Sequence, residues 1–135
     1  MFVARAMRWV LVGLSLVSFA GVSRAAGELD GKTFAVEVTE KGKEAAEAEK
    51  DQLIFKDGKF RSPGCDEYGF TEVAYTASAK DNKVAFDAVA KSEKEGEIHW
   101  TGTVQGDAVE GSFVWTKSGQ DAIEYSFKGS LQKPS

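Results

Sequence analysis

Two side chains have the chemistry to attack a substrate or ligate a metal, Cys65 and His99, and each residue type occurs once in the chain. Cys65 lies in Pro63-Gly64-Cys65-Asp66-Glu67-Tyr68-Gly69, a run of turn formers. A cysteine nucleophile must ionise, and Asp66 and Glu67 oppose that by raising the thiol pKa. The free thiol is therefore expected to be sheltered under its loop, with redox sensing or an intermolecular disulfide as the alternative. A metal site built from Cys65, His99 and a carboxylate would require three loops to converge, so no metal is expected. The sequence has no paired nucleophile and base, no phosphate-binding glycine loop and no calcium loop with the required acid spacing. Neither enzymatic catalysis nor a cofactor is expected. What remains is a set of aromatic and aliphatic residues suited to an apolar ligand, and their use depends on the strands that carry them.

The best-determined strands are those of the hairpin from Glu97 to Thr116, EIHWTGTVQGDAVEGSFVWT. With Gly106-Asp107 as a type II′ turn, Val104 faces Val109, Gly102 faces Gly111, Trp100 faces Phe113 and Ile98 faces Trp115. All four pairs share one face, and a one-residue slip would turn both tryptophans into water. His99 falls on the other, outward face. The facing glycines interrupt the apolar stripe, which suits strands that coil sharply or admit another group close to the backbone.

The same alternation runs through the rest of the chain. Lys32 to Thr39 is predicted as a strand opened by Leu29-Asp30-Gly31, with Phe34, Val36 and Val38 inward. Glu40 to Asp51 is highly charged and is expected to form a solvated loop or an exposed helical turn. Gln52–Lys56 and Lys59–Ser62 flank Asp57-Gly58, a type I′ signal that pairs Phe55 with Phe60. Phe70–Lys80 and Lys83–Lys91 flank Asp81-Asn82, giving Ala79 opposite Val84, Ala77 opposite Phe86, Tyr75 opposite Ala88 and Val73 opposite Ala90. Ser92–Gly96 is a charged link, and Lys117–Asp121 leads into a last strand with Ile123, Tyr125, Phe127, Gly129 and Leu131 on one side.

Eight strands in a meander, with no helical crossover, make an all-β domain whose best architecture is an eight-stranded antiparallel up-and-down barrel. An even strand count lets the last strand pair antiparallel with the first, removing both sheet edges. A two-sheet sandwich or an open curved meander is the alternative.

Residues 1–25 read as a secretory signal peptide. Arg5 and Arg8 precede the uncharged run Trp9–Ser23, and Ser23 and Ala25 supply the small residues for cleavage after Ala25. An uncleaved anchor is the alternative, although the run is short for a membrane span. Residues 26–135 then form one domain. Removing three arginines and no acid leaves 14 basic against 21 acidic residues, a net charge of about −7. That balance excludes nucleic acid and anionic membrane surfaces as expected partners, and no stable membrane insertion is expected after cleavage. A secreted or periplasmic location is expected, and a lone cysteine is compatible with it because no internal disulfide is needed or available.

Eight meandering strands behind the opening Leu29-Asp30-Gly31-Lys32-Thr33-Phe34 resemble the calycin group of lipocalin-like and fatty-acid-binding-like barrels. The chain departs from the lipocalin opening Gly-x-Trp, and Glu40–Asp51 is too short for the helical pair of the fatty-acid-binding relatives. The resemblance implies the fold and a habit of binding small apolar molecules.

In an up-and-down barrel the connections alternate between ends, which places the three two-residue turns at one end and the four longer connections at the other. The long-loop end is the expected mouth, and the expected ligand-binding residues are Phe60, Phe70, Tyr75, Ile98, Trp100, Trp115, Ile123 and Tyr125. An eight-stranded interior is just wide enough to be filled by side chains or to hold one small ligand, so a packed core and a cavity both remain open. No inward position is expected to carry a charge. The expected function is binding of a small apolar or amphiphilic ligand in the interior or at the mouth. The alternative is a non-enzymatic interaction or structural domain of the cell envelope that meets a protein partner through its long loops.

Overall fold

A computed structural model describes residues 27–44 and 47–133. The expected signal peptide and its cut after Ala25 lie outside these residues. Eight strands follow in order: β1 (Thr33–Glu40), β2 (Glu49–Lys56), β3 (Lys59–Arg61), β4 (Val73–Lys80), β5 (Lys83–Ser92), β6 (Gly96–Gln105), β7 (Ala108–Thr116) and β8 (Ile123–Leu131). A 3-10 helix, Pro63–Tyr68, joins β3 to β4. Each strand pairs antiparallel with the next and β8 pairs with β1, so the sheet is a closed barrel with an up-and-down meander. This is the architecture expected from the alternating pattern, and it is compatible with the calycin resemblance.

The turns at one end follow their residues. Asp57 and Gly58 both have positive φ (53° and 77°), as do Asp81 and Asn82 (53° and 67°), the signature of type I′. At Gly106 only the first turn residue is left-handed (φ 60°), which is type II′. The β6–β7 register is the expected one throughout, with Val104 opposite Val109, Gly102 opposite Gly111, Trp100 opposite Phe113 and Ile98 opposite Trp115.

The facing glycines have a packing reason. Across β5 to β8, one row reads Phe86, Gly102, Gly111, Phe127, and the two phenyl rings lie over the glycines with centroids 6.3 Å apart. A Cβ on Gly102 would stand 2.6 Å from the Phe86 ring. Missing side chains on two strands are thus the space for large ones on the strands beside them.

The interior is filled. Phe34, Phe55, Phe60, Tyr75 and Trp100 are each under 2% exposed. Edge-on and tilted contacts link them, with centroids 4.9 Å apart for Phe55 and Tyr75, 5.0 Å for Phe60 and Trp100, and 4.1 Å for Trp100 and Phe113.

The closed end is plugged by the segment before β1. Leu29 is fully buried in the core cluster. Asp30 accepts hydrogen bonds from the Gly58 backbone N–H (2.9 Å) and the Tyr75 hydroxyl (2.8 Å), while that hydroxyl accepts from the N–H of Leu29 (2.9 Å). Burial, reinforced by the bond to Asp30, pushes the Tyr75 hydroxyl up to about 12. Leu29-Asp30-Gly31 therefore seals the barrel as well as leading into β1.

Four expectations about the strands need correction. β2 starts at Glu49, not Gln52, because Glu49, Lys50 and Asp51 pair with Val38, Glu37 and Val36. Backbone pairing does not require apolar side chains where a strand end reaches solvent. As a result, Asp51 and Glu49 lie on the inward stripe, and the expectation of no inward charge is wrong. The β4–β5 ladder begins at Tyr75 opposite Ala88, so the expected pair of Val73 with Ala90 lies beyond its end, while on the other edge of β4 Val73 pairs with Phe60. Ser92–Gly96 is not a long connection, because Ser92 pairs with Gly96 around a three-residue turn.

Candidate functional site

The mouth is built on Asp51. Its carboxylate accepts hydrogen bonds from the Ser62 hydroxyl, the Gly64 N–H (3.0 Å) and the Gln52 N–H (2.8 Å), tying β2 to the loop that carries the cysteine. Ser62 enters that loop with extended backbone, Pro63 starts its 3-10 turn and Gly69 ends it with φ 88°. A Cβ on Gly64 would press against the Asp51 carboxylate at 2.9 Å, so the glycine lets the two segments meet. Outside, Arg61 clasps Asp66 through two nitrogens.

Behind this loop lies a cavity of about 530 Å3. Cys65, Tyr68 and Phe70 form its loop side. Ile98, Phe113, Trp115 and Tyr125 form its apolar wall, and Val38 with Glu40, Glu49 and Asp51 forms the side made by β1 and β2. Two features hold the wall rigid. The Trp115 indole N–H donates to the Glu95 carbonyl at 2.6 Å, and Tyr125 stacks on Phe113 with centroids 4.6 Å apart and planes 14° from parallel. Glu95 is itself held by the Lys117 ammonium at 3.0 Å. The Tyr125 hydroxyl is raised above its ordinary pKa, chiefly by burial and then by the carboxylates of Glu40 and Glu49.

Cys65 is half-buried, with its sulfur 3.6 Å from the Ser62 hydroxyl. Its pKa is raised mainly by burial and further by Asp51 and Asp66, against a lowering by the Ser62 bond. Slow reaction with a maleimide is expected in the native protein and fast reaction in urea. Equal rates in the two states, or a disulfide dimer on a non-reducing gel, would contradict the shelter.

Of the eight expected ligand residues, Phe70, Ile98, Trp115 and Tyr125 line the mouth cavity. Phe60 and Trp100 belong to the filled core. Tyr75 points to the opposite, plugged end. Ile123 is half-buried beside its ladder partner Trp115 and does not line the cavity. The reason is barrel shear: strands tilt, so a row of facing residues climbs around the barrel. The row Tyr75, Ala88, Trp100, Phe113, Tyr125 begins at the plug and ends at the mouth.

Sequence reasoning also missed Glu40, Glu49 and Asp51. Extending the β2 alternation Phe55, Leu53 two steps backward is the signal that finds Asp51 and Glu49. His99 faces outward as expected, exposed and 2.7 Å from Asp87 on the neighbouring strand. Among the described residues no three His, Cys, Asp or Glu side chains are grouped to hold a metal ion.

A second concavity, about 1340 Å3, runs over the outer faces of the strands. Much of its lining is short and polar, including Thr76, Thr101, Thr103, Ser112 and Ser126, and it is more open to solvent than the mouth. The mouth is the better candidate because Ile98, Phe113, Trp115 and Tyr125 form one apolar wall of it, opposite a charged rim. In comparisons with protein-family models, curated proteins and solved structures, the chain matches none.

Proposed function

We propose that this chain is an exported, calycin-like β-barrel domain, secreted or periplasmic, that binds a small apolar or amphiphilic molecule at its mouth and carries out no catalysis. The observation that carries this reading is the rigid aromatic wall of a cavity of about 530 Å3 above a filled core. That volume is in the range of small-molecule sites, and the wall is preformed, so a ligand gains apolar contact at little cost in ordering side chains. The filled interior argues for the mouth over the barrel centre. The raised thiol pKa of Cys65 argues against a nucleophile there. Outward Thr, Ser, Glu and Lys residues, such as Thr101, Thr103, Glu110 and Lys128, suit water better than a lipid-facing band. Tyr68, 54% exposed at the rim, favours a second reading in which a protein partner docks there.

A neutral naphthyl dye tests the proposal. It should bind the folded protein at micromolar concentration and alter tryptophan emission. Trp115→Ala should weaken binding by about 1 kcal/mol or more, while Asp81→Ala at the plugged end should leave it unchanged. Absence of dye binding, or equal losses from changes at the two ends, would sink the carrier reading.

A further inference from the structure

The alternation that builds the core continues after the apolar residues end. On β1 the inward stripe Phe34, Val36, Val38 runs on to Glu40, and on β2 the stripe Phe55, Leu53 runs on to Asp51 and Glu49. The ladders set Glu40 beside Tyr125, Asp51 beside Val36 and Glu49 beside Val38. Carboxylates therefore continue the inward alternation at the open end of the barrel, Glu40 and Asp51 half-buried and Glu49 exposed, and they share one cavity with the ring wall of Phe113, Trp115 and Tyr125.

Their partners are unequal. Asp51 is committed to Ser62 and Gly64, and Glu95 to Lys117. Among the described residues Glu40 and Glu49 have no ion-pair partner. The lysines that also line the cavity do not balance the acids. Lys43 and Lys50 stand against Glu40, Glu47, Glu49, Asp51 and Glu95, so acids outnumber bases around the cavity five to two. Glu40 is half-buried and Glu49 exposed, so both stay in reach of water, and with Asp51 they make the rim beside the aromatic wall acidic, which favours a cation there over an anion. The ring faces of Trp115 and Tyr125 attract a cation for the same electrostatic reason. Among the described residues no three acids are grouped as a metal requires, which suits a diffuse organic charge better than a metal ion.

Resting on the carrier reading, we infer that the mouth selects a cationic amphiphile: an ammonium group between Glu40 and Glu49, with its apolar chain or ring against Ile98, Trp115 and Tyr125. A fatty carboxylate of the same length would place its charge against those acids and is disfavoured.

Competition on the full chain tests this. The neutral naphthyl dye is displaced by dodecyltrimethylammonium, dodecanoate or a neutral dodecyl glycoside, each below its micellar concentration. The cation should displace the dye at a concentration lower than dodecanoate by about ten-fold or more, with the glycoside between them. In the double variant Glu40→Gln/Glu49→Gln the gap should narrow to about three-fold or less, and each single variant should narrow it part of the way. The single variants keep the test decisive if the double variant folds poorly. Dye binding with no preference by charge, or a preference that survives both substitutions, would overturn the inference and leave the carrier reading standing. Failure of the dye to bind at all would overturn the two together.

Discussion

A Gly129→Val variant is expected to lose roughly 3 kcal/mol or more of stability, read by urea titration against the parent. Gly129 on β8 faces Val36 on β1, across the pair that closes the barrel. A Cβ there would run into the Ala35 carbonyl oxygen and stand 2.7 Å from the Val36 Cα. These are backbone atoms of a paired strand, so no side chain can rotate aside, and relief requires pulling β1 from β8. Gly102→Val provides the contrast, since its Cβ meets the ring ends of Phe86 and Phe127, which can shift. A loss of about 1 to 3 kcal/mol is expected there. A Gly129→Val protein as stable as the parent would mean that β1 and β8 do not approach as described.

Leu29→Ala is expected to cost about 2 to 5 kcal/mol, the range for a buried leucine whose site cannot collapse. Leu29 is fully buried at the plugged end, in a segment fixed by Asp30 to both the Asp57-Gly58 turn and the Tyr75 hydroxyl. Those bonds keep the surrounding backbone from closing over the space a shortened side chain leaves. Thermal unfolding checks this directly, and a change under about 1 kcal/mol would show that the plug is a surface turn and not part of the core.

The hairpins are legible in the sequence because two independent signals agree in each. Asp57-Gly58, Asp81-Asn82 and Gly106-Asp107 specify turns whose twist suits antiparallel strands, and the alternation on either side specifies one register. An even number of such strands permits antiparallel closure, which the pairing of β8 with β1 completes. Strand ends are less legible. Glu49, Lys50 and Asp51 have loop composition but ladder hydrogen bonds, and Ser92 and Gly96 are ladder partners within a run that reads as a linker. The depth of a residue is the least legible property. Sequence position within a hairpin measures distance along a strand, while the tilt of the strands converts that distance into height differently on each one. Tyr75 and Tyr125 belong to one row of neighbours and yet serve opposite ends of the barrel. The role of Asp30 is hidden for a related reason, since its partners Gly58 and Tyr75 lie 28 and 45 residues away in the chain.

Nuclear magnetic resonance of the tryptophan indoles tests the location of binding most directly. Trp115 lines the mouth with its N–H held by Glu95, whereas Trp100 is buried among Phe60, Phe113 and Phe127 in the filled core. On titration with an apolar or cationic amphiphilic probe, the Trp115 indole N–H signal should move in proportion to occupancy while the Trp100 signal stays within its line width. Movement of Trp100 by as much as Trp115 would place the ligand inside the barrel, and a bound probe that moves neither would place it away from the mouth; either result contradicts the account.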